Sequence, residues 1–150
     1  PCDAVTLAPY MGYDSIEPFL GYEGKFAIVL ALTSNKSAED FEMEDGLYRK
    51  VITKASQWGT RDNLMFVAGA TRPEYLAEIR ELAGERFLLV PGVGAQGGTV
   101  EDVARYGQSA ECGLLVNSSR GIIFASKGDD FAEAAARAAS DLAQSMAAVL

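Results

Sequence analysis

The residues best suited to chemistry lie in a glycine-rich segment, FLLVPGVGAQGGT, at residues 87–99. Its apolar run ends at Pro91, and Gln96 is a polar side chain among glycines at positions 92, 94, 97 and 98. Glycine allows positive φ and a close approach to a ligand, and backbone N–H groups in such a loop can bind an anion. Thr99, with Asp102 three residues later, predicts a helix start directly after the loop. The segment predicts an anion-binding loop, with a flexible connection as the alternative.

A second segment with the same character follows one strand later, GLLVNSSRGIIFAS at residues 113–126. The apolar run ends in Asn117, Ser118, Ser119 and Arg120. An arginine presents a planar fork of donors that matches phosphate or carboxylate, whereas the alternative for Arg120 is a surface ion pair. Parallel α/β barrels often hold phosphate in the loops after their last two strands. Two successive strand ends of this kind therefore favour an anion site.

Composition excludes several classes of function. The chain of 150 residues is 49% hydrophobic, enough for one core, and its net charge of -8 argues against nucleic acid as a partner. No apolar run approaches the length of a membrane span, so we expect no membrane partner, and no secretory signal is visible. With no histidine, Ser–His and Cys–His pairs and most zinc sites are excluded, and we expect no metal site. Cys2 and Cys112 resemble ordinary thiols of a reducing cytosol, which predicts a cytoplasmic protein.

Strand and helix patterns alternate along the whole chain. Strands are predicted at residues 3–8, 25–32, 64–68, 87–90 and 113–116. Helices are predicted at residues 14–20, 47–58 and 73–83, after Thr99, and from Asp129 or Asp130 to the end. Buried strands that alternate with helices indicate a parallel sheet, whose ligands bind at the carboxyl ends of the strands.

The pattern contains about five βα units, whereas a TIM (β/α)8 barrel needs eight units and roughly 250 residues. We therefore predict an α/β chain that forms the C-terminal part of a TIM barrel, about strands 4 to 8. Residues 1–150 would then belong to one barrel domain whose N-terminal part is missing. An open, five-stranded, doubly wound parallel sheet remains the alternative, because periodicity does not separate the two.

Five segments, in their order, resemble the C-terminal half of orotidine 5'-monophosphate decarboxylases of the longer bacterial branch. They are DAVTLAPYMGYDS, IVLALTSN, LMFVAGAT, FLLVPGVGAQGGT and LLVNSSRGII. The resemblance covers essentially the whole chain and implies a TIM barrel. It also implies a cytoplasmic, homodimeric lyase of de novo pyrimidine biosynthesis that converts orotidine 5'-monophosphate to uridine 5'-monophosphate and carbon dioxide without a cofactor.

The resemblance also implies a role for particular residues. Gln96 would contact the phosphate and close over the substrate, and Arg120 would pair with the phosphate dianion, assisted by adjacent backbone N–H groups. Ser34 would hydrogen-bond the pyrimidine amide edge, while Pro91 and Val93 would form the apolar wall near the base. The implied substrate site consists of Ser34, Pro91, Val93, Gln96, Ser119 and Arg120.

The sequence departs from the family pattern in one respect. The family transfers a proton from a lysine set between aspartates in a D-x-K-x-x-D motif, one aspartate coming from the other subunit, and no such motif occurs here. We therefore assign no catalytic residue to this chain and expect it to be inactive without the missing N-terminal half. Two alternatives remain: a non-catalytic module that binds a phosphate ligand, and another phosphate-binding barrel enzyme, such as a sugar-phosphate isomerase or synthase.

Overall fold

A computed structural model describes residues 2–94 and 97–149. Its strands are β1 (Ala4–Leu7), β2 (Phe26–Leu32), β3 (Leu64–Ala68), β4 (Leu88–Pro91) and β5 (Leu114–Asn117). Its α-helices are α1 (Tyr13–Leu20), α2 (Leu47–Ala55), α3 (Pro73–Ala83), α4 (Val100–Gly107), α5 (Ser119–Ile123) and α6 (Phe131–Ala147). Short 3-10 segments lie at Pro9–Met11, Lys36–Asp40 and Glu44–Gly46. Within the described residues, no helix combines the length and apolar character needed to cross a membrane.

All five predicted strands are confirmed, whereas the short helix α5, Ser119–Ile123, was not predicted and other elements differ at their ends. Pro91 belongs to β4, where it pairs with Asn117 and accepts a hydrogen bond from Ala70 N–H at 2.9 Å. Its missing N–H is thus no obstacle at the last position of the strand. α2 ends at Ala55, before the predicted Trp58, because the N–H groups of Gln57 and Trp58 bond three residues back and tighten the last turn.

The order of the strands in the sheet decides between the two predicted architectures. The order is β1-β2-β3-β4-β5, and every neighbouring pair is parallel. Each connection therefore advances by one strand in the same direction, and connections of this kind are right-handed in nearly all proteins. Their helices consequently lie on one face of the sheet. A doubly wound sheet reverses direction and places helices on both faces, so that alternative is wrong.

The side chains of the strands separate into two clusters. Ala27, Val29, Phe66, Leu88 and Val90 pack on the helix side, where they form one core with apolar residues of the helices. The alternate residues of the same strands point to the opposite face, where they form a separate apolar cluster together with Phe87. This second cluster consists of Phe26, Ile28, Leu30, Met65, Val67, Phe87 and Leu89. Helices outside and strand side chains inside are the arrangement of a barrel wall.

Two arginines tie the βα units together near the amino-terminal ends of β4 and β5. Arg80 donates to the carbonyl oxygens of Gly84, Arg86, Gly107 and Gly113, each at 2.7 Å. Burial lowers the pKa of Arg80 from its usual value. Gly84 and Arg86 lie between α3 and β4, Gly107 ends α4, and Gly113 directly precedes β5. One side chain thus joins the ends of α3 and α4 to the start of β5.

Arg86 extends the same network toward α2. Its guanidinium donates to the carbonyl oxygens of Ser56 at 2.9 Å and Gly59 at 2.8 Å. Burial lowers the pKa of this arginine as well. The end of the sheet opposite the predicted site is therefore held by partly buried cations bonded to backbone.

The two outer strands are less covered than the central ones. Within the described residues β1 pairs only with β2, and β5 only with β4. Leu115 is in register with Leu89 and faces the inner cluster, but it is 49% exposed. The inner layer of apolar side chains is thus open to solvent at this edge.

Candidate functional site

The carboxyl ends of β2, β4 and β5 surround a cavity of about 150 Å³. Its lining consists of Ser34, Pro91, Gly92, Val93, Asn117, Ser118, Ser119 and Arg120. The structure therefore brings together five of the six residues predicted for the site: Ser34, Pro91, Val93, Ser119 and Arg120. The sixth, Gln96, lies outside the described residues.

The glycine-rich loop after β4 is shaped by backbone conformations that favour glycine. Gly92, Gly94 and Gly97 have φ values of 100°, 78° and 93°. The loop bonds to itself: Gly94 N–H donates to Gly98 O at 2.9 Å, and Gly98 N–H donates to Gly92 O at 3.2 Å. Gly97 N–H also donates within the loop, to Gly94 O at 2.9 Å.

These bonds correct one expectation from the sequence. The loop was expected to offer free N–H groups to an anion, yet the N–H groups of Gly94, Gly97 and Gly98 are all used internally. In this conformation the glycines set the shape of the loop rather than supply donors. Val93 is buried at 4% exposure, so this part of the predicted apolar wall is a closed surface.

Gly98 brings the same loop into contact with the end of β3. A Cβ atom placed on Gly98 would lie 2.6 Å from the Cβ of Ala70 and 2.9 Å from its carbonyl oxygen. No larger residue fits at this position without a shift of the backbone. Thr99 then begins α4 as predicted, because its side chain accepts a hydrogen bond from Asp102 N–H at 3.1 Å.

The segment after β5 is fixed by its own side chains. Asn117 Oδ1 accepts hydrogen bonds from Ser119 N–H at 3.1 Å and from the Ser119 hydroxyl at 2.8 Å. Ser118 Oγ donates to Val93 O at 3.0 Å and so connects this segment to the loop after β4. The sequence places Asn117 and Ser118 in the second anion-binding segment, but the substrate site implied by the resemblance does not include them. An Asn followed by serines is a turn-forming pattern that could have added them to it.

Arg120 differs from the other arginines of the chain. Four of them, Arg49, Arg61, Arg72 and Arg137, form ion pairs. Arg80 and Arg86 bond to carbonyl oxygens, and Arg105 lies over the ring of Tyr106. Arg120 is exposed, lines the cavity, and makes no ion pair or side-chain hydrogen bond with residues 2–94 or 97–149. It therefore presents an uncompensated guanidinium to whatever enters the cavity.

Ser34 follows β2 and is held against the end of β3. A Cβ atom on Gly69 would lie 2.8 Å from both Cα and N of Ser34, so only glycine permits this contact. The Thr71 hydroxyl donates to Ser34 O at 3.3 Å. Within residues 2–94 and 97–149, no group of three His, Cys, Asp or Glu side chains is arranged to hold a metal ion.

Sequential parallel βα units, with helices outside and the cavity at the carboxyl ends of the strands, define a protein of the TIM-barrel class. More particularly, the chain belongs to the orotidine 5'-phosphate decarboxylase / HUMPS family, whose model matches residues 1–138. The resemblance stated from the sequence is thereby confirmed.

Individual relatives agree with this assignment. The chain is 51% identical over 150 residues to an orotidine 5'-phosphate decarboxylase of Bacteroides fragilis, an alignment that covers 97% of the chain and 55% of the relative. Among solved structures, the UMP synthase of Leishmania donovani superposes with a TM-score of 0.84 at 37% identity, over 99% of this chain and 33% of that one. The OMP decarboxylase of the same organism gives 0.81 at 34% identity, over 99% and 57%. The chain spans about half the length of the curated relatives it matches.

Proposed function

We propose that this chain is the nucleotide-binding part of an orotidine 5'-monophosphate decarboxylase, a carboxy-lyase of pyrimidine biosynthesis. The observation that carries the proposal is the position of Arg120, whose guanidinium has no ion pair within the described residues, in a cavity that also contains Ser34 from a different strand end. A cation at one wall and a hydroxyl at another suit a ligand with a phosphate and a polar base. The similarity to relatives named orotidine 5'-phosphate decarboxylase supports orotidine 5'-monophosphate as that ligand.

Each residue has a defined part in the proposed binding mode. Arg120 would pair with the phosphate dianion, and Gln96 would join it from the loop after β4. Ser34 would bond the amide edge of the pyrimidine, beside Pro91 and Val93. Ser119, whose hydrogen is donated to Asn117, retains only acceptor capacity at its hydroxyl oxygen, so in this conformation it would shape the site rather than donate to phosphate.

The proposed reaction breaks the bond between the pyrimidine ring and the carboxylate, releases carbon dioxide and protonates the carbanion left on the ring. This chain contributes binding energy to that step rather than the proton. Contacts with a phosphate remote from the reacting carbon can be used to close a loop and to stabilise the transition state. The proton would come from the lysine of the family's D-x-K-x-x-D motif, which this sequence does not contain. The reaction would need no metal or organic cofactor.

We also propose that residues 1–150 form part of a larger barrel domain whose further strands pair with β1 and β5. The single partner of each outer strand and the half-exposed Leu115 support this. Uncovered strand edges and apolar faces drive association. The chain alone should therefore associate with itself or aggregate, and a sharp monomer boundary in sedimentation with cooperative unfolding would contradict the proposal.

A homodimer is proposed as well, and a surface beside the site supports it. Tyr10 is 96% exposed and Phe41 75% exposed, although both are large and apolar, and they line one groove with Pro9, Leu47 and Val51. Exposed apolar groups of this size commonly mark protein interfaces. Sedimentation of the complete enzyme should show a dimer that Tyr10→Asp together with Phe41→Asp dissociates.

A cytoplasmic location is proposed because Cys2 and Cys112 are free thiols, Cys2 being exposed.

The proposed activity can be tested by complementation. Residues 1–150 are produced alone and together with the part of the Bacteroides fragilis decarboxylase that they do not match, and the conversion of orotidine 5'-monophosphate is followed. We expect no turnover from the chain alone and measurable turnover from the pair. Turnover by the chain alone would place catalytic groups within it. A folded pair that binds uridine 5'-monophosphate without turnover would instead favour a non-catalytic binding module.

A further inference from the structure

Glu42 lies beside the candidate site without lining its cavity, and it bonds to the residue before Ser34. Its Oε2 accepts a hydrogen bond from Thr33 N–H at 2.6 Å. The Thr33 hydroxyl oxygen lies 2.9 Å from Oε2 and 3.0 Å from Oε1 of the same carboxylate. Glu42 lies nine residues after Thr33 in the sequence, and its carboxylate thus holds the end of β2.

The hydrogens available show how this contact is arranged. The Thr33 hydroxyl has one hydrogen but three oxygen neighbours, because Asn35 Oδ1 also lies 2.6 Å away. The contacts are all satisfied when the amide nitrogen of Asn35 faces Thr33 and donates to its hydroxyl, which then donates to Glu42. The oxygen and nitrogen atoms of an Asn or Gln side-chain amide exchange places when the amide group is flipped. Glu42 as a carboxylate is then the final acceptor for both donors of Thr33.

The Ser34 backbone is held from the opposite side by the end of β3. Gly69 packs directly against Ser34 Cα and N, and the Thr71 hydroxyl bonds Ser34 O at 3.3 Å. Glu42 fixes the N–H one residue earlier. Constraints before and after the Cα atom determine both its position and the direction in which the side chain leaves it.

The segment that carries Glu42 is itself attached to the next βα unit. Arg72 Nη2 forms an ion pair with Glu39 at 2.9 Å, and the Arg72 side chain is 21% exposed. Glu39 belongs to the 3-10 segment Lys36–Asp40 and lies three residues before Glu42. The loop that carries Glu42 is therefore held at two points: by the ion pair between Arg72 and Glu39, and by the bond from Thr33 N–H to Glu42 itself.

We infer that Glu42 is a positioning residue for pyrimidine recognition: through Thr33 it fixes the turn that directs Ser34 into the cavity. The inference rests on the proposed function, in which Ser34 bonds the base. Glu42 does not touch the proposed substrate site, so it acts through Thr33 and not on the reacting atoms. Because it acts on Ser34, its loss should affect the base and leave the phosphate contact unchanged.

The test uses the complete enzyme with Glu42→Ala, Ser34→Ala and the double variant. Misplacement of a site group by about 1 Å can cost about a hundredfold in rate. We expect Glu42→Ala to lower kcat/KM for orotidine 5'-monophosphate by about ten- to a hundredfold. Glu42→Gln should recover most of it, because an amide oxygen still accepts from Thr33 N–H. The double variant should be little worse than Ser34→Ala, since both changes remove the same contact.

A ligand without a base separates positioning from general damage. Ribose 5-phosphate carries the phosphate and the sugar, so its inhibition constant should stay within about twofold in Glu42→Ala, while the affinity for uridine 5'-monophosphate falls. Equal weakening of both ligands, or losses that simply add in the double variant, would overturn the inference. Thr33→Val replaces the hydroxyl with a methyl group and keeps the backbone N–H, so it should lower kcat/KM in the same way but by less. An unchanged kcat/KM in Thr33→Val would also contradict the inference.

The outcome does not depend on turnover. If the wild-type enzyme failed to decarboxylate orotidine 5'-monophosphate, the proposed function would fall. Comparison of uridine 5'-monophosphate with ribose 5-phosphate would still decide whether Glu42 acts on the base side of the cavity. If Glu42→Ala did not fold, the same comparison in Thr33→Val would decide it.

Discussion

Ser118 Oγ donates a hydrogen bond to Val93 O at 3.0 Å, and this bond joins the segment after β5 to the loop after β4. Gly121 permits it, because a Cβ atom there would lie 2.7 Å from Ser118 Oγ. The backbone from which Arg120 extends is therefore fixed relative to the opposite wall of the cavity. A guanidinium on a fixed base loses less freedom when it binds an anion.

Arg120→Ala should weaken binding and slow turnover of orotidine 5'-monophosphate in the complete enzyme, because it removes the unpaired cation from the cavity. Hydrogen bonds to charged groups contribute about 1.5–3 kcal/mol each, and a bidentate pair contributes more. Steady-state kinetics with orotidine, which lacks the phosphate, provide the decisive comparison. The effect of Arg120→Ala should largely disappear there, whereas that of Ser34→Ala should remain. Equal slowing of both substrates would make Arg120 a structural residue.

Gly98→Ala should destabilise the fold by about 1–3 kcal/mol, the usual cost of forcing extra volume into a packed site. The new Cβ would meet the Cβ and the carbonyl oxygen of Ala70, and neither can rotate away. Denaturant unfolding measures the change. Gly21→Ala is the matched control, because no atom lies within 4 Å of a Cβ at that position. If the two variants were equally stable, the loop would be able to move away from Ala70 without cost, and the prediction would be wrong.

Arg80→Leu should cost at least about 3 kcal/mol of unfolding free energy, because it leaves four carbonyl oxygens without their charged donor. Arg137→Ala is the control: its ion pair with Asp130, at 3.5 Å, is exposed and should contribute almost nothing. Both are measured by denaturant unfolding. A small effect at Arg80 would mean that water replaces its bonds without loss.

Tyr48 should make the stability depend on alkaline pH. Its hydroxyl donates to Glu78 Oε2 at 2.5 Å, and burial first, then this carboxylate, raises its pKa to about 12 from 10.0. The folded state thus resists ionisation that the unfolded state accepts. The stabilisation is complete below pH 10 and is lost progressively as the pH rises toward 12, by about 2–3 kcal/mol in total. Unfolding of Tyr48→Phe should lack this component, and identical slopes in the two proteins would refute it.

The alternation of strands and helices could be predicted because apolar runs bounded by turn residues depend on local sequence alone. Leu64–Ala68 is an example, since its prediction and its observed bounds coincide. Periodicity alone left the order of the strands open, because that order depends on which neighbours meet, and the barrel was predicted instead from the number of βα units and the family resemblance. Site residues such as Ser34 and Arg120 could be placed at strand ends for the same local reason.

Contacts between distant segments were the part that the sequence did not reveal. Nothing local marks Glu42 as the partner of Thr33, or Arg80 as the donor to Gly107 and Gly113. The N–H groups of Gly94, Gly97 and Gly98 are not free as expected for a related reason: a pattern shows that glycine is present but not which acceptor its N–H will find. Such bonds are fixed only when the βα units are assembled.

The sequential strand order has a consequence for how such a chain acquires its structure. Every strand pairs with the strand one βα unit away, so each pairing can form as soon as the next unit has left the ribosome. Loop-closure entropy stays small at every step, which favours fast folding from one end of the chain to the other. In a closed ring of such units, only the joining of the first strand to the last would bring distant parts of the chain together, and that final seam would be the slow step.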